Sequence, residues 1–298
     1  MITVLAFGGG QDSTAILYKL ALEPPFYKKY VKGRLIVIMC DTGDEHPATY
    51  HHIQFIKQFC KQRDIEFHFI QSGQGFHPQQ WPGLLQWMEK YDGIISKAYP
   101  KSCTDNLKIK PFYNFLDNLI GKQYYHQDIH HAKSRKSFIK KYALENGKVQ
   151  VLLGIAHGEE SRQAKSFPHI WMANSLMRIY PLIEEGMDRR SCQEYTLSTG
   201  LPLPPPSNCL RCPFLSAIEL VWLYQFHPKK LQEWIKREQA KISKWRRLGL
   251  PNEKNLGVFG RKLLPESLQA ALRLYGHLTS EQLQEYKMSH GHCVLSKY

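Results

Sequence analysis

The sequence predicts an α/β fold in which a doubly wound parallel sheet is followed by a smaller helical region. Three observations predict it. Short apolar runs alternate with amphipathic stretches through the first half of the chain, a glycine-rich turn separates the first run from the first amphipathic stretch, and the texture changes after Gly186. The expected division is an α/β domain over residues 1–185, then a cysteine-containing connector and helical region over residues 186–298.

Ile2 to Phe7 reads as a first strand and Asp12 to Leu22 as the helix after it. Leu35 to Cys40 is a second strand, Pro47 to Arg63 a second helix, Ile65 to Ile70 a third strand, and Val149 to Ile155 a later, fully buried strand. Short crossovers between parallel strands are right-handed, so such units wind onto both faces of one sheet and leave a ligand crevice beyond the strands' carboxyl ends. Leu201-Pro202-Leu203-Pro204-Pro205-Pro206 fits neither helix nor central strand and reads as an extended connector. Helical patterns follow at Ala217 to Phe226, Pro228 to Leu248 and Glu266 to Tyr275.

A chain of 298 residues is long enough for a sizeable core, and 43% hydrophobic with 22% charged residues excludes wholesale disorder. The longest apolar runs, such as Arg34 to Cys40, are of strand length and too short for a membrane span. The apolar start runs directly into a polar glycine turn, which does not fit a signal peptide, and a cytoplasmic protein with no membrane partner is expected. Seven cysteines then read as core thiols together with a reactive or metal-binding set. The formal charge of +14 points to a polyanionic partner, although basic proteins without one are common.

The turn Phe7-Gly8-Gly9-Gly10-Gln11-Asp12-Ser13-Thr14 sits between a predicted strand and a predicted helix. Successive glycines let the backbone approach a phosphate closely, while the N–H groups and dipole of the helix start attract the anion. Ser13 and Thr14 can add hydroxyl donors. A plain tight turn is the competing reading.

This segment resembles the PP-loop (N-type ATP pyrophosphatase) superfamily, whose signature is Ser-Gly-Gly-x-Asp-Ser at the end of the first strand. Gly9, Gly10, Asp12 and Ser13 match it, and Gly8 stands at the place of its first serine. Three further stretches resemble the phosphoadenylyl-sulfate (PAPS) reductase-like branch, phage and mobile-element members included. Cys40-Asp41-Thr42-Gly43-Asp44-Glu45 resembles its Asp-Thr-Gly-x-Glu turn, and Cys103-Thr104-Asp105-Asn106-Leu107-Lys108-Ile109-Lys110-Pro111 its Cys-Thr-x-x-Leu-Lys-Ile-x-Pro segment. Gly154-Ile155-Ala156-His157-Gly158-Glu159-Glu160-Ser161-Arg162 resembles its Gly-Ile-x-x-x-Glu-x-x-Arg turn, with Ala156 where reductases often carry arginine.

The resemblance spans roughly residues 2–215 and implies an adenine nucleotide alpha hydrolase-like sheet. It also implies a nucleotide site of Gly8, Gly9, Gly10, Gln11, Asp12, Ser13, Thr14, Asp41, Thr42, Gly43, Lys108 and Gly154, with Lys108 facing the phosphates. Asp12 would help Mg²⁺ bridge the ATP phosphates, and Glu159 and Arg162 would position the reacting group.

Cys209-Leu210-Arg211-Cys212 is a Cys-x-x-Cys, a spacing that suits one metal, one cluster edge or a redox pair. The same branch carries cysteines at all these places, which implies a four-thiolate site of Cys103, Cys192, Cys209 and Cys212 holding an iron–sulfur cluster or, as the alternative, zinc. Buried structural thiols are the plainer reading. Cys40 and Cys60 read as core, and Cys293 lacks the Glu-Cys-Gly-x-His setting of the reductases' nucleophile. The pairs His51-His52 and His130-His131 read as solvated surface residues, since neighbours on a helix point about 100° apart.

Lys229 to Arg247 holds eight basic and two acidic residues with Trp234 and Trp245 interleaved, and Lys133 to Lys141 forms a second basic cluster. Such a helix can follow a phosphate backbone while a ring stacks on a base; a solvated face with inward tryptophans is the alternative. With the resemblance, the expected activity is ATP-dependent adenylation of a tRNA or DNA group for sulfur transfer or a related substitution, aided by a sulfur-donor protein. The alternatives are a PAPS or adenylyl-sulfate reductase and a nucleotide-sensing DNA-binding regulator or defence component.

Overall fold

The computed structural model describes residues 1–128 and 135–290. The chain begins with β1 (Ile2–Ala6), α1 (Gln11–Leu22), α2 (Pro24–Tyr30), β2 (Arg34–Cys40), α3 (Pro47–Lys61) and β3 (Glu66–Ile70). Helix α4 (Leu84–Lys90) precedes a π-turn (Asp105–Ile109) that runs straight into α5 (Lys110–Tyr125), and α6 (Ser137–Asn146) leads to β4 (Val149–Leu153). A short 3₁₀ turn (Glu160–Arg162), α7 (Ile170–Ser175), β5 (Leu176–Ile179), α8 (Pro181–Glu184) and α9 (Arg189–Ser198) follow. The remaining helices are α10 (Ala217–Phe226), α11 (Pro228–Arg247), α12 (Leu264–Tyr275) and α13 (Ser280–His290).

All strand pairs are parallel, in the order β3-β2-β1-β4-β5. Alternate side chains of a strand point to opposite faces, and both faces here are covered. Ile2, Val4, Ile36, Ile38, Val149 and Val151 pack against α5, α6 and α7. Leu5, Val37, Met39 and Leu152 pack against α1, α2, α3, α8 and α9 on the other side. Each such aliphatic side chain taken from water stabilises the fold by roughly 1.5–3 kcal/mol. The fold is therefore the expected α/β, doubly wound parallel sheet.

The chain leaves β1 toward β2 on one side and later adds β4 on the other, so the topological switch point lies between β1 and β4. The C-terminal helices build a core of their own around Trp234, Leu223, Leu231, Val258 and Leu264. Helix α9 belongs instead to the sheet, because it packs on α1 and buries Cys192 there. The proline-rich stretch at residues 201–206 has no regular structure, as its composition requires. Among the described residues no helix is long and apolar enough to cross a membrane.

Candidate functional site

The turn after β1 is shaped by its glycines. Gly9 takes φ +72°, a left-handed conformation that side chains disfavour. A Cβ on Gly10 would lie 2.8 Å from the Ser207 backbone nitrogen. The Ser13 hydroxyl closes the turn, accepting from the Gly8 N–H at 3.1 Å and donating to the Gly10 carbonyl at 3.2 Å. Gly154, just after β4, lies so close to the start of α1 that a Cβ there would be 3.0 Å from the Ser13 nitrogen. The first N–H groups of α1 have no acceptor within the helix and open at the switch point.

That opening is one wall of a cleft of about 420 Å³. Gly8, Gly10, Gln11, Asp12, Ser13 and Gly154 line this wall. Ile38, Phe112, Val151, Leu153 and Met172 form an apolar floor, and Lys108, Arg162 and Arg178 bring positive charge. Lys108 reaches the cleft from the π-turn, a widened helical turn that re-aims the side chains it carries. Its ammonium also lies 3.1 Å from the buried Glu45 carboxylate.

Asp12 lines the same cleft with 7% of its surface exposed, and its Oδ1 has no hydrogen-bond partner. Burial pushes its carboxyl up to about 6; Arg189 pulls it down, Glu159 adds to the rise, and Arg162 pulls it down. Glu159 pairs with Arg162 at 2.5 Å and with Arg189, so the three form a charge cluster beside Asp12. A carboxylate at the wall of a cleft with one oxygen lacking a donor suits a cation such as Mg²⁺.

Other expected residues support the site without lining it. Gly9 packs against Met39 and Thr49, and the Thr14 hydroxyl meets His52 Nε2 at 3.1 Å. Asp41 accepts from the Gly43 N–H at 2.9 Å and the Tyr50 hydroxyl at 2.8 Å, which fixes the loop after β2. Thr42 donates to Glu45 Oε1 at 3.1 Å, and Gly43 supplies a positive φ of +77°. These three residues hold a loop; the lining of the cleft passes from Cys40 to Lys108 without them.

The four cysteines are not all brought together. Cys192 is fully buried on the α1 side of the sheet, because α9 turns its apolar face to α1. Cys103 and Cys209 pack instead on Leu84, Met88, Ile95 and Leu107 beyond the end of β2. Burial and the neighbouring Glu45 hold the Cys209 thiol protonated, and it donates to the Thr42 hydroxyl at 3.3 Å. Among the described residues no group of three or more His, Cys, Asp or Glu side chains is placed to hold a metal ion. Cys192 therefore does not join the other three in a four-thiolate site.

Two surface expectations change as well. His52 is buried, and burial pushes its ring down to about 4; α3 needs that face for its core and for Thr14. Trp234 is also fully buried, leaving Trp245 as the exposed ring of α11. Several cations of α11 are engaged within the protein: Arg237 with Glu89 at 2.6 Å, Lys244 with Asp92 at 3.1 Å, and Lys241 with Asn255 at 2.9 Å. Lys229, Lys236 and Arg247 lie exposed on the pole opposite the buried Leu231, Trp234, Glu238 and Ile242. His130, His131, Lys133 and Cys293 lie outside the described residues.

Sequence reasoning missed Arg178, Arg189 and Ser207, which long-range folding delivers to the site. Arg189 carried one readable signal, since Asp188 caps α9 by accepting from the Ser191 N–H at 2.7 Å. Gln11 was expected to face a nucleotide. Its amide also donates to the Met288 carbonyl at 3.0 Å and accepts from Gln193 at 2.9 Å, so α13 and α9 both brace the start of α1.

No family model matches the chain. Among curated proteins it is similar to the uncharacterized nin region protein ORF290 of Escherichia phage lambda, 27% identical over 141 residues, or 42% of this chain and 46% of that protein. The chain thus matches less than half of that relative's length. Among solved structures it is similar to phosphoadenylyl-sulfate (PAPS) reductase from Candida auris in a phosphate complex, at 14% identity over 68% of this chain and 73% of that one, with a TM-score of 0.36.

Proposed function

We propose that the cleft binds ATP and that the chain uses it to adenylate a group on a nucleic acid, releasing pyrophosphate and preparing that group for replacement by sulfur or a related nucleophile. One observation carries the reading: the glycine turn Gly8–Ser13, Lys108, Arg162 and Arg178 face one cleft above an apolar floor. In this reading the N–H groups at the start of α1 hold the phosphates and the floor takes the adenine. Lys108 and Arg162 neutralise charge that develops as an acceptor oxygen attacks the α-phosphorus and pyrophosphate leaves. Asp12 would hold Mg²⁺, which would supply charge neutralisation at the phosphates. Glu159 keeps Arg162 and Arg189 in place through its two ion pairs. A sulfur-donor protein would then supply the nucleophile that displaces AMP.

The exposed cations of α11 and the charge of +14 support a tRNA or DNA acceptor. A reductase acting on an adenylyl sulfate needs a thiolate. Among the described residues the thiol lining the cleft is Cys40, which burial pushes far up and keeps protonated. Pyrophosphate release from ATP, assayed alone, with tRNA and with DNA, tests the reading. Release stimulated by one of the nucleic acids is expected. Turnover of an adenylyl sulfate in place of ATP would favour the reductase, and ATP and DNA binding without turnover would favour a sensing regulator.

A further inference from the structure

A second cavity, of about 310 Å³, opens at the outer edge of β5. Lys148, Lys165 and Arg178 line it, and among the described residues its lining contains no carboxylate. It adjoins the cleft, with Ala164, Ser166 and Arg178 lining both. Arg178 stands between the two. Its guanidinium lies 3.9 Å from the centre of the Phe167 ring and donates to the Ser166 carbonyl at 3.3 Å, which holds the planar group at the junction.

The Lys148 ammonium donates to the Ala173 carbonyl at 2.7 Å, which fixes its position and leaves two of its three donors for a ligand. Among the described residues the two linings carry Lys108, Arg162, Arg178, Lys148 and Lys165 with the carboxylate Asp12, while Glu45 pairs with Lys108 and Glu159 with Arg162. An excess of positive charge at a surface cavity attracts a polyanion. Met177, which also lines this cavity, is 47% exposed, so apolar surface is available to a base next to phosphate-binding groups.

We propose that the cavity lined by Lys148, Lys165 and Arg178 is the entry subsite for a single-stranded segment of nucleic acid, holding backbone phosphates while the adjoining nucleotide reaches the cleft. The inference rests on the nucleotide reading of the cleft and names where its acceptor binds. Lys148 and Lys165 touch only the strand, whereas Arg178 serves both cavities.

The test is fluorescence anisotropy of a labelled single-stranded 12-mer, DNA and RNA in separate arms, titrated with the full chain at several salt concentrations, with ATP affinity measured in parallel by calorimetry. Lys148→Ala with Lys165→Ala is expected to weaken oligonucleotide binding about tenfold in at least one arm. The salt slope should fall by about 1.4, which is two single-strand phosphates at about 0.7 each, while ATP affinity stays unchanged. Arg178→Gln is expected to weaken both ligands. A control removing equal charge elsewhere, Lys28→Ala with Lys61→Ala, should change neither.

Unchanged affinity and slope in the Lys148/Lys165 variant in both arms would overturn the proposal. An equal loss in the control would overturn it too, since net charge alone would then explain the effect. If the unaltered protein fails to bind ATP, the nucleotide reading falls, and the oligonucleotide titration still decides the cavity.

Discussion

The Arg211 guanidinium meets the Asp44 carboxylate at 2.5 Å, with the two side chains only 2% and 3% exposed. Arg211 lies between Cys209 and Cys212, and Asp44 lies in the loop after β2, so the pair pins the cysteine loop to the sheet. The Leu210 N–H adds a bond to the Asp44 carbonyl at 2.9 Å. The Cys-x-x-Cys therefore brackets an anchor.

Removing one partner leaves the other charge buried. Arg211→Ala is expected to destabilise the fold by about 3–5 kcal/mol, and Arg211→Leu combined with Asp44→Asn by clearly less. Urea unfolding of the two variants checks this. Equal losses would mean that the charge pair is not what anchors the loop.

The glycines of the turn are not equivalent. A Cβ on Gly8 would lie 3.4 Å from Ser207 Oγ, an ordinary contact, whereas one on Gly10 would lie 2.8 Å from backbone. Gly8→Ser is expected to keep both melting temperature and ATP affinity. Gly10→Ala should lose at least tenfold in affinity, because the turn must move away from Ser207. Thermal melts and calorimetry of the two proteins measure the contrast.

Asp12 trades stability for function. Its carboxyl lies near 3.8 in the unfolded chain and at about 6 in the fold, so the native state holds the extra proton between those values. The stability it contributes is present at acid pH and lost as pH rises through about 6; a shift of about two units corresponds to about 3 kcal/mol. Asp12→Asn is expected to gain about 1–3 kcal/mol at pH ~8 and nothing below pH ~4, by urea unfolding. The same variant should bind ATP about tenfold more weakly with Mg²⁺ present and no more weakly without it.

His46 has the opposite sign. Its Nδ1 accepts from the Ala48 N–H at 3.0 Å to cap α3, and its ring lies 5.3 Å from both Trp222 and His227 of the helical region. Burial pushes it down to about 4, with the charges of His227 and Lys287 adding. Its contribution is present above the ordinary value near 6.5 and is lost as pH falls toward 4. His46→Asn keeps a capping acceptor without a titrating group, so its loss of stability from pH ~7 to ~5 should be smaller. His52 titrates in both proteins, and the difference between the two unfolding curves reports His46 alone.

The strands β1, β2, β3 and β4 were legible within a residue or two, because a buried parallel strand is a short apolar run between breakers. β5 was not. Leu176–Ile179 is four residues long, lies at the sheet edge and is half exposed, so it lacks a hydrophobic signature. Helix α5 escaped although Pro111 marks its first turn, since the preceding π-turn blurs the 3.6-residue period. In the site, the glycine turn, Asp12, Lys108 and Arg162 were readable from contiguous motifs. Arg178, Arg189 and Ser207 were not, as each comes from a distant segment with no local pattern. Cys192 misled because a cysteine's position in sequence says nothing about which face of its helix is buried.

Calorimetric titration of ATP into the unaltered protein and into Lys108→Gln with Arg162→Gln, both with Mg²⁺, bears most directly on the cleft as a nucleotide site. Lys108 and Arg162 line the cleft together with the glycine turn, so saturable one-to-one binding by the unaltered protein and a loss of at least about 2 kcal/mol, some thirtyfold, in the double variant are expected. Absence of ATP binding by the unaltered, folded protein, or an affinity that the double variant leaves unchanged, would contradict it.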